Sequence, residues 1–247
     1  MKTIGALLLT LIFILLASCT QLDRVPQNNE VKITGSGALI SKEIDISDFD
    51  QVEAGLYFDL TIHQGENSRV ILTSDDNFIE YLQVEQTGNS ITLGFKPGHA
   101  YDTSEVTLRA EVTIPELSKL EMNGSSHAHI EGYRSQQPLE VELTGSSSLT
   151  GDMLLETAVL KTYGSTYVKL SGSGERLNLE ACGSSIADLG DYEAVNADLD
   201  VSCNSTVIVD VPGRLEGDAS QYAQVYFTGN PVAKALAVHE FASVQAR

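Results

Sequence analysis

LEMNGSSHA (120–128), VELTGSSSL (141–149), LKTYGSTYV (160–168), LEACGSSIA (179–187), LDVSCNSTV (199–207) and GDASQYAQV (217–225) align without gaps. At the centre of the first four stand Gly124-Ser125-Ser126, Gly145-Ser146-Ser147, Gly164-Ser165-Thr166 and Gly183-Ser184-Ser185; the last two degrade to Cys203-Asn204-Ser205 and Gln221-Tyr222-Ala223. Successive centres lie 21, 19, 19, 20 and 18 residues apart. Each block opens on an apolar residue, with Gly217 breaking the series, and closes on Ala128, Leu149, Val168, Ala187, Val207 or Val225. Two positions before the later blocks stand Leu139, Ala158, Leu177, Ala197 and Leu215.

Apolar residues at alternate positions on either side of a small-residue corner describe two short strands joined at a bend. A unit this short cannot bury its own apolar face, whereas stacked copies can, so a fixed period near 20 residues marks a solenoid. The period is too short for paired helices, and the leucine and asparagine frame of leucine-rich repeats is missing. The expectation is an all-β chain: a parallel β-helix-like solenoid whose six rungs, about 4.8 Å apart, make a stack roughly 30 Å long. A sharp corner suits a residue tolerant of unusual dihedrals with little bulk above or below it, and Ser and Thr hydroxyls can bond backbone groups at the bend. They do not read as nucleophiles, since no histidine and carboxylate recur beside them to act as base.

Working outward, Val112-Thr113-Ile114-Pro115-Glu116-Leu117 marks a seam, because Pro115 cannot donate to a central ladder. Before it, residues 31–117 form a less regular β region. Alternation runs through Leu56, Phe58, Leu60 and Ile62 and recurs up to Ile114, with Gly88-Asn89 as a hairpin turn and Asn77 to Leu82 as a single helical turn. Residues 118–231 hold the regular rungs, and 232–247 are expected to cap the open end of the stack, whose unpaired edge would otherwise recruit other chains. Residues 1–18 pair Lys2 with an apolar run ending at Leu16-Ala17-Ser18-Cys19, the pattern of an export signal. That ending resembles the lipobox of bacterial lipoproteins, which implies cleavage before Cys19, its lipidation, and a membrane partner reached through that anchor. Thr20 after the cysteine favours an outer-membrane lipoprotein, facing the periplasm or the cell surface. Residues 19–30 are polar, contain Pro26 and read as a flexible tether.

The formal charge of −19 leaves no basic stripe to neutralise phosphates, which argues against nucleic acid. His127 and His129 flank the inward Ala128, but Ser148 and Thr150, stacked on them, are poor metal ligands, so no metal is assigned. His63, His99 and His239 are isolated. Asp75-Asp76-Asn77 lacks the frame of a calcium loop. Cys182 and Cys203, 21 residues apart, could pair in an exported protein. The register sets Cys182 above Ser202 and Cys203 above Gly183, a diagonal that favours two free thiols, with a disulfide as the alternative.

The lipobox, Phe49-x-x-Val52 with Phe58-x-Leu60-x-Ile62-x-x-Gly65, Gly88-Asn89-Ser90-Ile91-Thr92-Leu93, and Val112-Thr113-Ile114-Pro115-x-Leu117 running into Gly124-Ser125-Ser126 together resemble the "putative auto-transporter adhesin, head GIN domain" family of Bacteroidetes lipoproteins, over residues 35–231. The resemblance implies a right-handed β-helical domain on an exported, often lipid-anchored protein, with no catalytic residue and no cofactor to carry over. The degraded corners at Cys203 and Gln221 depart from the pattern.

The functional expectation is a non-enzymatic, lipid-anchored envelope protein with a binding or adhesin-like role toward a glycan, peptidoglycan or an envelope protein. Tyr163, Tyr167, Tyr222 and Tyr226 suggest an aromatic strip for sugar stacking; the alternation turns Tyr167 and Tyr226 outward. The competing reading is a polysaccharide lyase or hydrolase, which needs paired carboxylates or a carboxylate with a basic proton abstractor. Asp188 and Asp210 fall on rung faces, but Arg176 and Arg214 lie on turns away from them.

Overall fold

In the computed structural model, which describes residues 32–247, the alternation and the corners produce strands almost throughout. The leading part holds β1 (Leu39–Ile44), β2 (Gln51–Ala54), β3 (Asp59–Gln64), β4 (Arg69–Asp75), a 3-10 turn at Ile79–Tyr81, β5 (Leu82–Thr87), β6 (Ser90–Phe95) and β7 (Arg109–Ile114). The repeating part holds β8 (Lys119–Met122), β9 (His127–Ser135), β10 (Leu139–Leu143), β11 (Ser148–Gly164), β12 (Tyr167–Gly183), β13 (Ile186–Val201), β14 (Thr206–Asp210), β15 (Arg214–Ala219), β16 (Gln224–Thr228), β17 (Ala233–Val238) and β18 (Ser243–Ala246). The signal segment 1–18, Cys19 and most of the tether (19–30) lie outside the described residues. No helix among the described residues is long and apolar enough to cross a membrane.

Two parallel ladders run the length of the molecule and form a solenoid of about seven turns. One is β6–β2–β8–β10–β11–β12–β13–β15–β17. The other is β7–β3–β9–β11–β12–β13–β14–β16–β18. The long strands β11, β12 and β13 serve both ladders. The register is the one read from the sequence: Leu120, Val141, Leu160, Leu179, Leu199 and Gly217 face one another in turn. Ala128, Leu149, Val168, Ala187, Val207 and Val225 do so on the other ladder. All but Gly217 are buried in one continuous core. Each buried leucine or valine contributes about 1.5–3 kcal/mol, so the shared interior is what holds the rungs together.

The leading part breaks the rule that neighbours in sequence are neighbours in space. β2 and β3 form a rung lodged between β6–β7 and β8–β9. After Ile114, the chain turns at Pro115 and passes this inserted rung to begin β8. Beyond β7 the packing turns antiparallel, with β4 on β7, β1 on β4, and β5 paired with β6 through the Gly88-Asn89 turn. Asp75-Asp76-Asn77 closes this end as a latch. Asp75 accepts from the Gly37 N–H at 2.6 Å and the Thr107 N–H at 3.0 Å, Asp76 accepts from Ser36 Oγ at 2.6 Å, and Asn77 donates to the Thr34 carbonyl at 2.9 Å. At the opposite end, residues 232–247 contribute β17 and β18 in rung register, so they continue the stack while ending it. There Lys234 takes the inward column of Leu215, and its ammonium lies 5.1 Å over the Phe227 ring.

Candidate functional site

The corner of each rung presents three stacked columns. The first is left-handed at every corner from β2–β3 to β17–β18: Leu56 (φ 62°), Gly124 (68°), Gly145 (72°), Gly164 (97°), Gly183 (93°), Cys203 (63°), Gln221 (59°) and Glu240 (57°). The third is buried. Ser126 donates to the Asn123 carbonyl at 2.8 Å, Ser147 to the Thr144 carbonyl at 2.9 Å and Ser185 to Ser205 Oγ at 3.1 Å, whereas the equally buried Thr166 hydroxyl has no partner among the described residues. The second column is the outer ridge: Tyr57, Ser125, Ser146, Ser165, Ser184, Asn204, Tyr222 and Phe241. Aromatic residues stand at both its ends and small polar ones between.

The two sheet faces differ in chemistry. On the first ladder, one outward column reads Glu53, Glu121, Glu142, Lys161, Glu180, Asp200 and Asp218. Lys161 and Lys119 are tied to Glu140 and Glu121 at 2.9 and 2.6 Å. The bond from Lys161 outweighs burial and holds the Glu140 carboxyl below its usual range. Beside this column, burial and then the bond to Glu180 push the Tyr163 hydroxyl up to about 12, with Glu142 and Asp200 adding to the shift. The face is an acidic sheet.

On the second ladder His127 and His129 point outward and bond Ser148 and Thr150, the residues stacked on them, at 2.7 and 2.9 Å. His63 and His239, isolated in sequence, each meet a carboxylate of a neighbouring rung, Glu131 and Asp218, at 3.2 Å. Among the described residues no group of three histidine, cysteine, aspartate or glutamate side chains is placed to hold a metal ion. Asp188 is met by Lys169 at 3.7 Å, a loose surface pair.

Tyr167 and Tyr226 both lie on this second face, but in adjacent columns with β13 and β14 between them. Tyr167 is 38% exposed. Tyr226 bonds Gln224 at 2.9 Å and carries the Arg247 guanidinium 4.5 Å over its ring. The structure therefore does not bring the two together into one platform. Tyr222 instead stacks on Phe241, their centroids 5.3 Å apart and their planes within 9°.

Cys182 and Cys203 form a disulfide, with Cα atoms 5.2 Å apart, where the sequence favoured free thiols. The diagonal is real, since Ala181 faces Val201 and the Asn204 N–H reaches the Gly183 carbonyl. The left-handed turn at Cys203 closes the gap that a straight strand would have left.

A cleft that sequence reasoning missed lies at the start of the ridge: 510 Å³, lined by Tyr57, Tyr101, Asp102, Thr103, Ser104 and Val106. The available signal was Leu56-Tyr57 standing where the other rungs place Gly-Ser. A second groove, of 460 Å³ and lined in part by Leu155, Ser173 and Glu193, crosses the regular rungs.

A family model described as "Putative auto-transporter adhesin, head GIN domain" matches residues 48–231. Among solved structures, a putative adhesin from Bacteroides fragilis is 16% identical, with a TM-score of 0.74, over 87% of this chain and 100% of that one. A putative lipid binding protein from Parabacteroides distasonis is 19% identical, with a TM-score of 0.66, over 87% and 99%. A putative adhesin from Parabacteroides merdae is 15% identical, with a TM-score of 0.64, again over 87% and 99%. At these identities the likeness is one of fold. Comparison with curated proteins finds no match.

Proposed function

This chain belongs to the family described as "Putative auto-transporter adhesin, head GIN domain", and from that premise we propose that it is a lipid-anchored envelope protein with a non-catalytic, adhesin-like binding role. The observation that carries the reading is the pair of unbroken ladders. They present long flat faces and an exposed ridge, the kind of surface on which solenoids meet extended partners. The solved structures of like fold, described as putative adhesins and a putative lipid binding protein, support a binding role in the same way. The acidic face disfavours anionic partners and directs attention to the ridge and the second face. Cys19 supplies the anchor in this reading, and residues 19–30 hold the rungs away from the lipid.

Protease accessibility on intact cells tests it, paired with Cys19→Ala. Surface digestion of the native protein, together with release of the Cys19→Ala variant into the soluble fraction, is the expected result. A native protein that stays soluble and protected within the cell would remove both the anchor and the adhesin role.

A further inference from the structure

The first corner of the stack is built unlike those above it. Its left-handed position holds Leu56, a bulky residue at φ 62°. Such a conformation costs a non-glycine residue free energy and persists where the surroundings impose it. What Leu56 places on the ridge is Tyr57, 57% exposed. The Tyr57 ring adds nothing to the core; it forms one wall of the 510 Å³ cleft.

The Tyr101 part of the lining is held in place. Tyr101 donates its hydroxyl to the Lys96 carbonyl at 2.7 Å, and its ring packs 4.7 Å from Phe95 and 5.4 Å from Phe78. The backbone of this loop is pinned by Ile33, whose N–H reaches Ala100 and whose carbonyl accepts from Asp102. Asp102 in turn accepts from the Ser104 hydroxyl at 2.7 Å. The cleft thus brings together two phenol rings, Val106, a carboxylate and two hydroxyls, the polar groups being those of Asp102, Thr103 and Ser104, in a volume within the usual range for small-molecule sites.

We propose that this cleft binds one pyranose unit of a neutral glycan, an assignment that rests on the binding role given above and names its ligand class. A sugar ring has an apolar C–H face that a phenol ring can cover, and an edge of hydroxyls that Asp102, Thr103 and Ser104 can bond. An acyl chain or apolar peptide would strip water from the Asp102 carboxylate and the Thr103 hydroxyl and return no hydrogen bond to either, at a cost in desolvation. A formal charge of −19 disfavours acidic sugars. The ridge of Ser125, Ser146, Ser165 and Ser184 runs on from Tyr57 and gives a longer glycan a polar track.

The test titrates the folded protein with a panel of neutral oligosaccharides built from glucose, mannose, galactose and N-acetylglucosamine. The expected result is saturable binding that weakens about tenfold in Tyr57→Ala, the scale of one lost aromatic contact, and survives in Tyr57→Phe. Tyr167→Ala should bind as the native protein does. Unchanged melting of Tyr57→Ala, expected for an exposed side chain, shows that the loss belongs to the site. Binding that survives Tyr57→Ala, no binding of any panel member at millimolar concentration, or saturation of the cleft by a fatty acid would each overturn the assignment. Adhesion of intact cells that persists in Tyr57→Ala would overturn this site and leave the adhesin role standing. Native cells that fail to adhere would remove that role.

Discussion

The corner column divides into two halves that share a backbone and differ in side chain. Gly124, Gly145, Gly164 and Gly183 fill one half; Cys203, Gln221 and Glu240 fill the other with the same left-handed dihedrals. The hydrogen bonds between successive corners record the difference. The N–H groups of Ser125, Ser146, Ser165 and Ser184 reach the carbonyl below at 2.7 Å, whereas those of Asn204, Tyr222 and Phe241 do so at 2.9 Å. A Cβ on Gly145 or Gly164 would stand 2.6 Å from the carbonyl of the corner beneath. Glycine therefore contributes closeness here, in addition to its freedom of φ. Where the stack carries a side chain at the corner it opens slightly, and the αL conformation is kept.

The largest effect is expected from forcing the first half to resemble the second. Gly164→Val adds a β-branched side chain at φ 97° and against a backbone carbonyl. The expected loss is on the order of 4 kcal/mol, combining left-handed strain with overpacking. Urea denaturation followed by circular dichroism measures it. A loss no larger than that of an ordinary surface substitution would show that the tight spacing is incidental.

The disulfide joins the two halves, because Cys182 precedes the last glycine corner and Cys203 is the first without one. Replacing both with serine frees a segment whose ends lie 21 residues apart, for an expected loss of about 3 kcal/mol from the added freedom of the unfolded chain. If the bond staples this junction, hydrogen exchange in the double variant should rise first at the corner of Cys203. Uniform loss of protection along the solenoid would show that the rungs melt as a unit wherever they are cut.

A third contrast sets the corners, which hold no titrating group in their bonds, against the latch at the leading end. Burial alone would raise the Asp75 carboxyl, but the N–H groups of Gly37 and Thr107 outweigh it and hold it below the usual carboxylate range. A depressed folded value means that this stabilisation is present above about pH 4, the ordinary unfolded value, and is lost as pH falls through the lower folded one. In acid, residues 34–38 should lose exchange protection before β11, β12 and β13. Asp75→Ala should do the same at neutral pH, at a cost of about 2 kcal/mol for two stranded N–H donors. Simultaneous loss in both regions would disprove the separation.

The rungs were legible because one period carries both signals at once: Leu160, Leu179 and Leu199 repeat in step with their glycine corners. The leading end was not, since the insertion of β2–β3 between later strands leaves no mark on local alternation, and Asp75-Asp76-Asn77 reads as a loop until Gly37 and Thr107 arrive beside it. The tyrosines show the same limit. Alternation turned Tyr167 and Tyr226 outward but could not say that neighbouring columns and two intervening strands separate them. The aromatic wall at Tyr57 depends on Tyr101, which follows a different turn of the chain.

The smallest effect comes from the reverse experiment, making the second half resemble the first. Gln221 is exposed and sits at φ 59°, so Gln221→Gly removes left-handed strain of about 1–2 kcal/mol. Glycine's greater freedom in the unfolded chain takes back roughly 0.5–1 kcal/mol. A net gain of about 0.5–1 kcal/mol remains, provided that the corner also closes up on Cys203. Equilibrium unfolding gives the sign, and amide exchange at Tyr222 reports whether its bond to the Cys203 carbonyl has tightened. Stabilisation with unchanged exchange would mean that strain alone separates the halves. A loss of stability would mean that the Gln221 side chain supports the wider spacing, and that the later corners are a second solution to the turn in their own right.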